Sequence, residues 1–309
     1  TLVKGTGATA RQIALPESKI CPWNTDMYAL NPAHPGSQAY YDSLFELYAS
    51  WGVDYVKVDD LAASTLHGTH VEELLLIRRA IDRCGRPMVL SLSPGPAPLE
   101  KAGLFVANAN LWRITNDFWD RWDLLLDMFD RCEQWYPLVA PGSWPDCDML
   151  PLGSLGCCYP EGHSERRQSR FTRDEQETMM ALWCIFRSPL MYGGDLPGID
   201  EATLALITNP ELLAVNQEGA NPRPVYREGE RIVWASQTKE GGFFLALFNL
   251  GEEGISMNID DIVRMLPCAG APILKLRDLF ARKELFSGST SIPSLHVPAH
   301  GSRLLKLFL

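Results

Sequence analysis

The stretch Trp51-Gly52-Val53-Asp54-Tyr55-Val56-Lys57-Val58-Asp59-Asp60 decides how the rest of the chain is read. Gly52 is a stop for whatever helix precedes it. Val53, Tyr55, Val56 and Val58 favour extended backbone, and the run ends in charge. Side chains alternate along a strand, so Val56 and Val58 face one way and Lys57 and Asp59 the other. If the apolar side packs on helices, the polar side holds an ammonium and a carboxylate at the strand's tip. A barrel with its active site at the C-terminal ends of its strands places such groups there.

Working outward, helix and strand alternate. Ser37 is the predicted N-cap of a helix carrying Tyr40, Tyr41, Leu44, Tyr48 and Trp51 at helical spacing. A second helix is predicted from Val71 to Cys84, with Leu74, Ile77 and Ile81 on one stripe and Gly85 behind it. Further strands are expected at Arg86–Leu92, Leu111–Asn116, Leu138–Ala140 and Leu190–Tyr192. Helices are expected at Asp120–Trp135, after the capping box Thr172/Glu175, and at Ala202–Ile207. Residues 1–36 read as loop, punctuated by four prolines. This alternation predicts βαβ units and a parallel sheet over residues 1–217, amounting to about strands 4–8 of a (β/α)8 barrel.

The pattern changes after Gln217. Ile232–Ala235, Gly242–Asn249 and Ser302–Leu309 are short β-type runs, with one helix at Asp260–Met265. Residues 218–309 are therefore expected to form a small antiparallel β-sandwich.

Composition narrows the function. The formal net charge of −10 argues against phosphate-backbone binding, so no nucleic-acid partner is expected. No apolar run approaches about 18 residues, which predicts no membrane-spanning helix. The 8 cysteines include no CxxC pair, and the 6 histidines show no HExxH or paired spacing, so no metal site is expected. The histidines are assigned to surface and loops, and Cys157-Cys158 to a loop. Gly193-Gly194 lacks the context of a phosphate loop and reads as a turn.

The predicted strand at Leu111–Asn116 repeats the logic of the first. Trp112 and Ile114 face one way; Arg113, Thr115 and then Asp117 face the other. An ammonium beside a carboxylate favours the charged form, which suits a nucleophile. A guanidinium fork can hold two sugar hydroxyls or a carboxylate. Two carboxylates at neighbouring strand ends meet the need of retaining glycoside hydrolysis, which wants them about 5–5.5 Å apart. Spacing alone leaves other readings open: salt-bridge partners, or helix caps in the case of Asp117 and Asp120. Trp144, Asp146 and Asp148 read as a loop after a strand, either pocket wall or hydrogen-bonded clamp. Trp119, Trp122 and Trp183 read as core or helix packing. Trp23, Asn24 and Asp26 could line a site entrance, with Asp26 equally a turn residue.

Three blocks, in order, resemble glycoside hydrolase family 27, the α-galactosidase (melibiase) family. They are Trp51 to Asp59; Trp112-Arg113 with Asp117 and Trp122; and Trp144 to Leu150 continuing through Glu175-Gln176, Ala181-Leu182-Trp183 and Ser188-Pro189-Leu190 to Asn216-Gln217. The resemblance implies a retaining exo-glycosidase that removes terminal α-D-galactosyl groups by double displacement, without cofactor or metal. Asp59 takes the nucleophile's place and Asp117 that of the acid/base. Lys57 and Arg113 take the places of residues that bind sugar hydroxyls. The implied partner is a galactose-containing oligosaccharide or glycoconjugate.

The chain departs from the family in three places. Ser91-Leu92-Ser93-Pro94 replaces the segment that reads the sugar's C2 substituent, with Ser93 at a glutamate-like position. Ser93 is thus a substrate-binding candidate. The difference also admits two sister activities, α-N-acetylgalactosaminidase and β-L-arabinopyranosidase. Leu61 stands where the family has a cysteine, removing the usual disulfide partner for a residue like Cys21. The family's first three strands have no counterpart before Gly36. The expectation is a chain starting inside its barrel, with exposed sheet edges and weak or absent activity by itself. An inactive fragment or a carbohydrate-binding relative is the alternative of a different class.

Overall fold

The computed structural model describes residues 1–15, 21, 24, 26–64, 68–156, 166–267, 272–287 and 294–309. Trp23, Cys157, Cys158, Cys268, His67 and His163 lie outside the described residues. The chain packs as two compact units: residues 1–117 with 141–146, and residues 118–140 with 147–309.

In the first unit α1 (Ala10–Ile13) precedes α2 (Gly36–Ser50), β1 (Tyr55–Val58), α3 (Val71–Arg83), β2 (Val89–Leu92), α4 (Ala102–Asn108) and β3 (Leu111–Arg113). The strands pair in parallel, in the order β1-β2-β3, and a last strand at Trp144–Asp146 joins β3. Gly52 ends α2 with a φ of +79°, and Gly85 does the same after α3. Leu74, Leu76, Ile77, Ala80 and Ile81 form the buried stripe of α3, while Glu72 and Glu73 open it and Arg83 closes it in the sense the helix dipole favours. Gln38 ties α2 to α3 by donating to the Leu76 carbonyl at 3.1 Å.

The second unit begins with α5 (Trp122–Trp135). With Trp144–Asp146 numbered β4, the chain continues with β5 (Ser154–Leu155), β6 (Arg167–Gln168), α6 (Arg173–Phe186), α7 (Glu201–Ile207) and α8 (Pro210–Glu218). The capping box at α6 forms as expected. The Thr172 N–H donates to Glu175 Oε2 at 2.7 Å, and the Glu175 N–H to Thr172 Oγ1 at 3.3 Å. Every residue from Thr178 to Phe186 is buried, so α6 is a central helix rather than an amphipathic one.

The remaining elements are β7 (Ala220–Glu228), β8 (Arg231–Gln237), β9 (Phe243–Asn249), β10 (Ile255–Met257), α9 (Ile259–Arg264), β11 (Lys275–Asp278), β12 (Lys283–Ser287), β13 (Leu295–Val297) and β14 (Ser302–Phe308). Six of these strands form an antiparallel sheet in the order β12-β11-β14-β9-β8-β7, and β10 pairs with β13. A shared core of Val233, Leu245, Leu247, Met257, Ile262, Leu276, Val297, Leu305 and Leu307 lies between them. The fold is thus a partial (β/α)8 barrel followed by an antiparallel β domain.

Several expectations change. The fourth strand is not at 138–140, because Pro137 starts a 3-10 turn over Tyr136–Leu138. It lies at Trp144–Asp146, where Trp144 donates to the Asn110 carbonyl and Ile114 to that of Asp146. Trp144 and Asp146 are therefore strand residues, not loop. The expected strand at 190–192 is reduced to one parallel bridge between Leu150 and Tyr192. Ser37 is inside α2, because Pro35 already has helical φ and ψ; the Ser37 hydroxyl donates to the Asn31 carbonyl at 2.6 Å. Among the described residues before Gly36 there is one helical turn, α1, where Gln12 accepts the Thr9 N–H. Helix α8 went unread. Its signals are Asn209, whose side chain accepts the Glu211 N–H, followed by Pro210 in the first turn.

Candidate active site

The parallel register sorts the first unit's side chains into two faces. Lys57 lies beside Ser91, Ser91 beside Leu111, and Leu111 beside Trp144. Counting by twos, Tyr55, Lys57 and Asp59 share that face with Ser91, Ser93, Arg113 and Asp146. The other face carries Val56, Val58, Leu90, Leu92, Trp112, Ile114 and Pro145, and from Leu90 onward these are buried. Sequence alternation thus becomes one polar face and one core face.

Asp59 stands just past the end of β1. Its Oδ1 accepts the Ser93 hydroxyl at 2.6 Å and the Asp60 N–H at 3.2 Å. Asp60 has a φ of +58° and is itself buried. Lys57 is exposed on the same face. The structure thus brings Lys57, Asp59 and Ser93 together.

Arg113 ends β3 with its side chain only 4% exposed, and its guanidinium donates to Asp117 Oδ1 at 3.1 Å. The Asp117 side chain is 76% exposed. One acidic group is therefore tethered through a buried arginine yet open to solvent. Helix α5 begins after Arg121, so Asp117 and Asp120 are not its caps. Asp120 is instead buried within the second unit, where it accepts from Arg167 at 2.7 Å and from the Arg170 N–H at 2.6 Å. Burial opposes its ionisation, but these donors win and hold the carboxyl below the usual carboxylate range.

A cis Ser93–Pro94 peptide and a second at Gly95–Pro96 shape the loop after β2. Gly95 rests on the end of β3; a β-carbon there would lie 2.0 Å from the Thr115 carbonyl oxygen. Ala97 then donates to the Arg113 carbonyl at 2.8 Å. The loop that carries Ser93 is thereby fastened to the strand that carries Arg113.

Three more residues lie on this face, none of them among the catalytic or substrate-binding candidates. Tyr55 is one: burial and the charge of Asp146 push its phenol up, partly offset by the Ser91 hydroxyl. Ser91 and Asp146 are the others. Their signal was the same period-two phase that exposed Lys57 and Asp59, once β4 is placed at 144–146.

Asp148 belongs to the second unit and acts as a clamp. Its carboxylate accepts the Phe118 N–H at 2.8 Å, and its carbonyl accepts from Trp183 Nε1 at 3.0 Å. Trp183 is fully buried, as expected of a packing residue. Trp122 stacks on His300 with ring centres 4.0 Å apart. His300 also reaches Glu175 at 2.9 Å and Glu252 at 3.1 Å, so it is a structural link rather than a plain surface residue. Asp26 is an exposed turn residue, and Cys21 is a buried free thiol. No helix among the described residues is long and apolar enough to cross a membrane.

The sequence model for α-galactosidase A matches residues 25–218, and that for the α-galactosidase C-terminal β-sandwich domain matches residues 228–307. Among solved structures, a family 27 β-L-arabinopyranosidase from Geobacillus stearothermophilus is 54% identical with a TM-score of 0.90, over 98% of this chain and 69% of that one. A putative α-N-acetylgalactosaminidase from Bacillus halodurans is 47% identical with a TM-score of 0.81, over 98% and 69%. Alpha-galactosidase 2 of Arabidopsis thaliana is 30% identical over 80% of this chain and 58% of its own length. The chain spans 58% and 60% of the first two curated relatives it matches. With both models matched in order across most of its length, the chain belongs to glycoside hydrolase family 27, the α-galactosidase family.

Proposed function

We propose that the protein is a retaining exo-glycosidase acting on a terminal pyranoside of galactose stereochemistry, with Asp59 as nucleophile and Asp117 as acid/base. The observation that carries this reading is the shared face of Lys57, Asp59, Ser93 and Arg113 at the C-terminal ends of three parallel strands, with Asp117 tethered to it. In the first step a carboxylate oxygen of Asp59 attacks the anomeric carbon. The bond from that carbon to the leaving-group oxygen breaks, and Asp117 gives that oxygen its proton. In the second step a water molecule attacks the same carbon. The ester to Asp59 breaks, and Asp117 takes the water's proton. Lys57 and Arg113 hold sugar hydroxyls and offset the negative charge between them.

Two sugars fit this stereochemistry. The α-D-galactosyl reading rests on the family as a whole. The β-L-arabinopyranosyl reading has a specific observation in its favour, the 54% identity and TM-score of 0.90 to an enzyme of that name. We therefore place β-L-arabinopyranosides first and α-D-galactosides second. Nitrophenyl glycosides of both sugars, and of α-N-acetylgalactosamine, assayed on the full-length protein, test the order. A higher kcat/KM for the galactoside reverses it. Trapping with the matching 2-fluoro glycosyl fluoride, followed by peptide mapping, tests the nucleophile. A label on any residue but Asp59 ends that assignment.

A further inference from the structure

Ser93 is bound to the Asp59 segment from every side. Its N–H donates to the Val58 carbonyl at 3.0 Å. Its own carbonyl accepts from Leu61 at 2.9 Å and Ala62 at 3.2 Å. Between these backbone ties its hydroxyl donates to Asp59 Oδ1 at 2.6 Å. Ser93 is 2% exposed, so the hydroxyl has little water to compete for its proton. Beyond it, Gly95 sits against the Arg113–Thr115 segment too closely for any side chain.

We propose that Ser93 is a positioning residue for the nucleophile, and that it selects Asp59 Oδ2 as the attacking oxygen. This rests on Asp59 being the nucleophile. Oδ1 carries two donors, the Ser93 hydroxyl and the Asp60 N–H. Among the described residues no hydrogen bond is made to Oδ2, which keeps its lone pairs for the anomeric carbon. Each donor also removes rotational freedom from the carboxylate, so its plane is set before substrate arrives. Ser93, a substrate-binding candidate at the segment that reads the sugar's C2 substituent, has its hydroxyl proton pointed at Asp59 and keeps its lone pairs for other partners.

The test separates positioning from sugar reading. In full-length protein, Ser93→Ala and Ser93→Thr are compared with wild type in the rate constant for trapping by the 2-fluoro glycosyl fluoride. That constant reports attack by the nucleophile alone. Ser93→Ala is expected to trap about 10- to 100-fold more slowly, with Ser93→Thr recovering most of the loss. The inhibition constant of the free sugar should change less than about twofold, showing an intact pocket. The loss should persist with a 2-deoxy nitrophenyl glycoside, which has nothing at C2 to read. A loss that disappears with the 2-deoxy substrate, or an unchanged trapping rate, overturns the proposal. Label found away from Asp59 in wild type defeats the nucleophile assignment itself, a result distinct from either.

Discussion

Gly95→Ala adds a single carbon at the join between the β1–β2 pair, which leads into Asp59 and Ser93, and β3. The added atom would lie 2.0 Å from the Thr115 carbonyl oxygen, 2.7 Å from its carbon and 2.8 Å from the Arg113 carbonyl oxygen. A carbon–oxygen contact needs about 3.3 Å, so the loop and the β3 segment must part by roughly 1.3 Å. The obstacles are backbone atoms of a buried strand end, which cannot swing aside as a side chain would. Overpacking of this kind costs about 1–3 kcal/mol, or about 2–4 °C in Tm per kcal/mol for a domain of this size. The larger effect falls on catalysis. The same loop carries Ser93, whose hydroxyl holds Asp59, and a misplacement of about 1 Å at a reacting group costs about 100-fold. Gly95→Ala in the full-length protein should therefore lose about two orders of magnitude in kcat/KM on its best nitrophenyl glycoside. Circular dichroism melting reports the stability change in the same samples. If kcat/KM stays within about threefold of wild type, the loop yields freely and its seat on β3 does not hold Asp59, the proposed nucleophile, in place.

Other outcomes follow from the same geometry. Asp59→Asn should lower kcat by at least about 1000-fold while Tm moves by only a few degrees, since the side chain is exposed. Asp117→Asn should slow substrates with poor leaving groups far more than nitrophenyl ones; equal slowing of both would remove its acid role. Thr172→Ala, which breaks the α6 capping box, should cost about 1 kcal/mol in a urea melt, and no change in midpoint would show the box to be idle. Asp120 has a folded-state pKa below the usual carboxylate value, so its stabilisation is present above about pH 4 and is lost as pH falls through the lowered value. Asp120→Asn should flatten the Tm–pH curve in that acid range, and a curve parallel to wild type would contradict the assignment.

Elements with local causes were legible in the chain. The valines of β1, the stripe of α3 and the Thr172/Glu175 box each act within one or two turns of backbone, so their neighbours in sequence are their neighbours in space. The polar phase of β1 likewise revealed Lys57 and Asp59 before any fold was known. Errors arose where local signals competed. Val139 and its neighbours look like a strand, but Pro137 has no N–H to give a sheet and the partner carbonyl of Asn110 is met by Trp144 instead. Misplacing β4 left Asp146 on a loop instead of on the polar face of a strand.

The sequence by itself determined which residues alternate, which helices are capped, and that Asp59 stands at a strand end; the strand expected at Leu111–Asn116 stops at Arg113, so Asp117 lies four residues beyond it. Only the tertiary structure decided that the Ser93 hydroxyl meets Asp59, a residue 34 positions earlier, and that Gly95 must be bare where it meets Thr115. Hydrogen bonds between strands depend on register, and register is set by the packing of a whole face rather than by the few residues that form the bond.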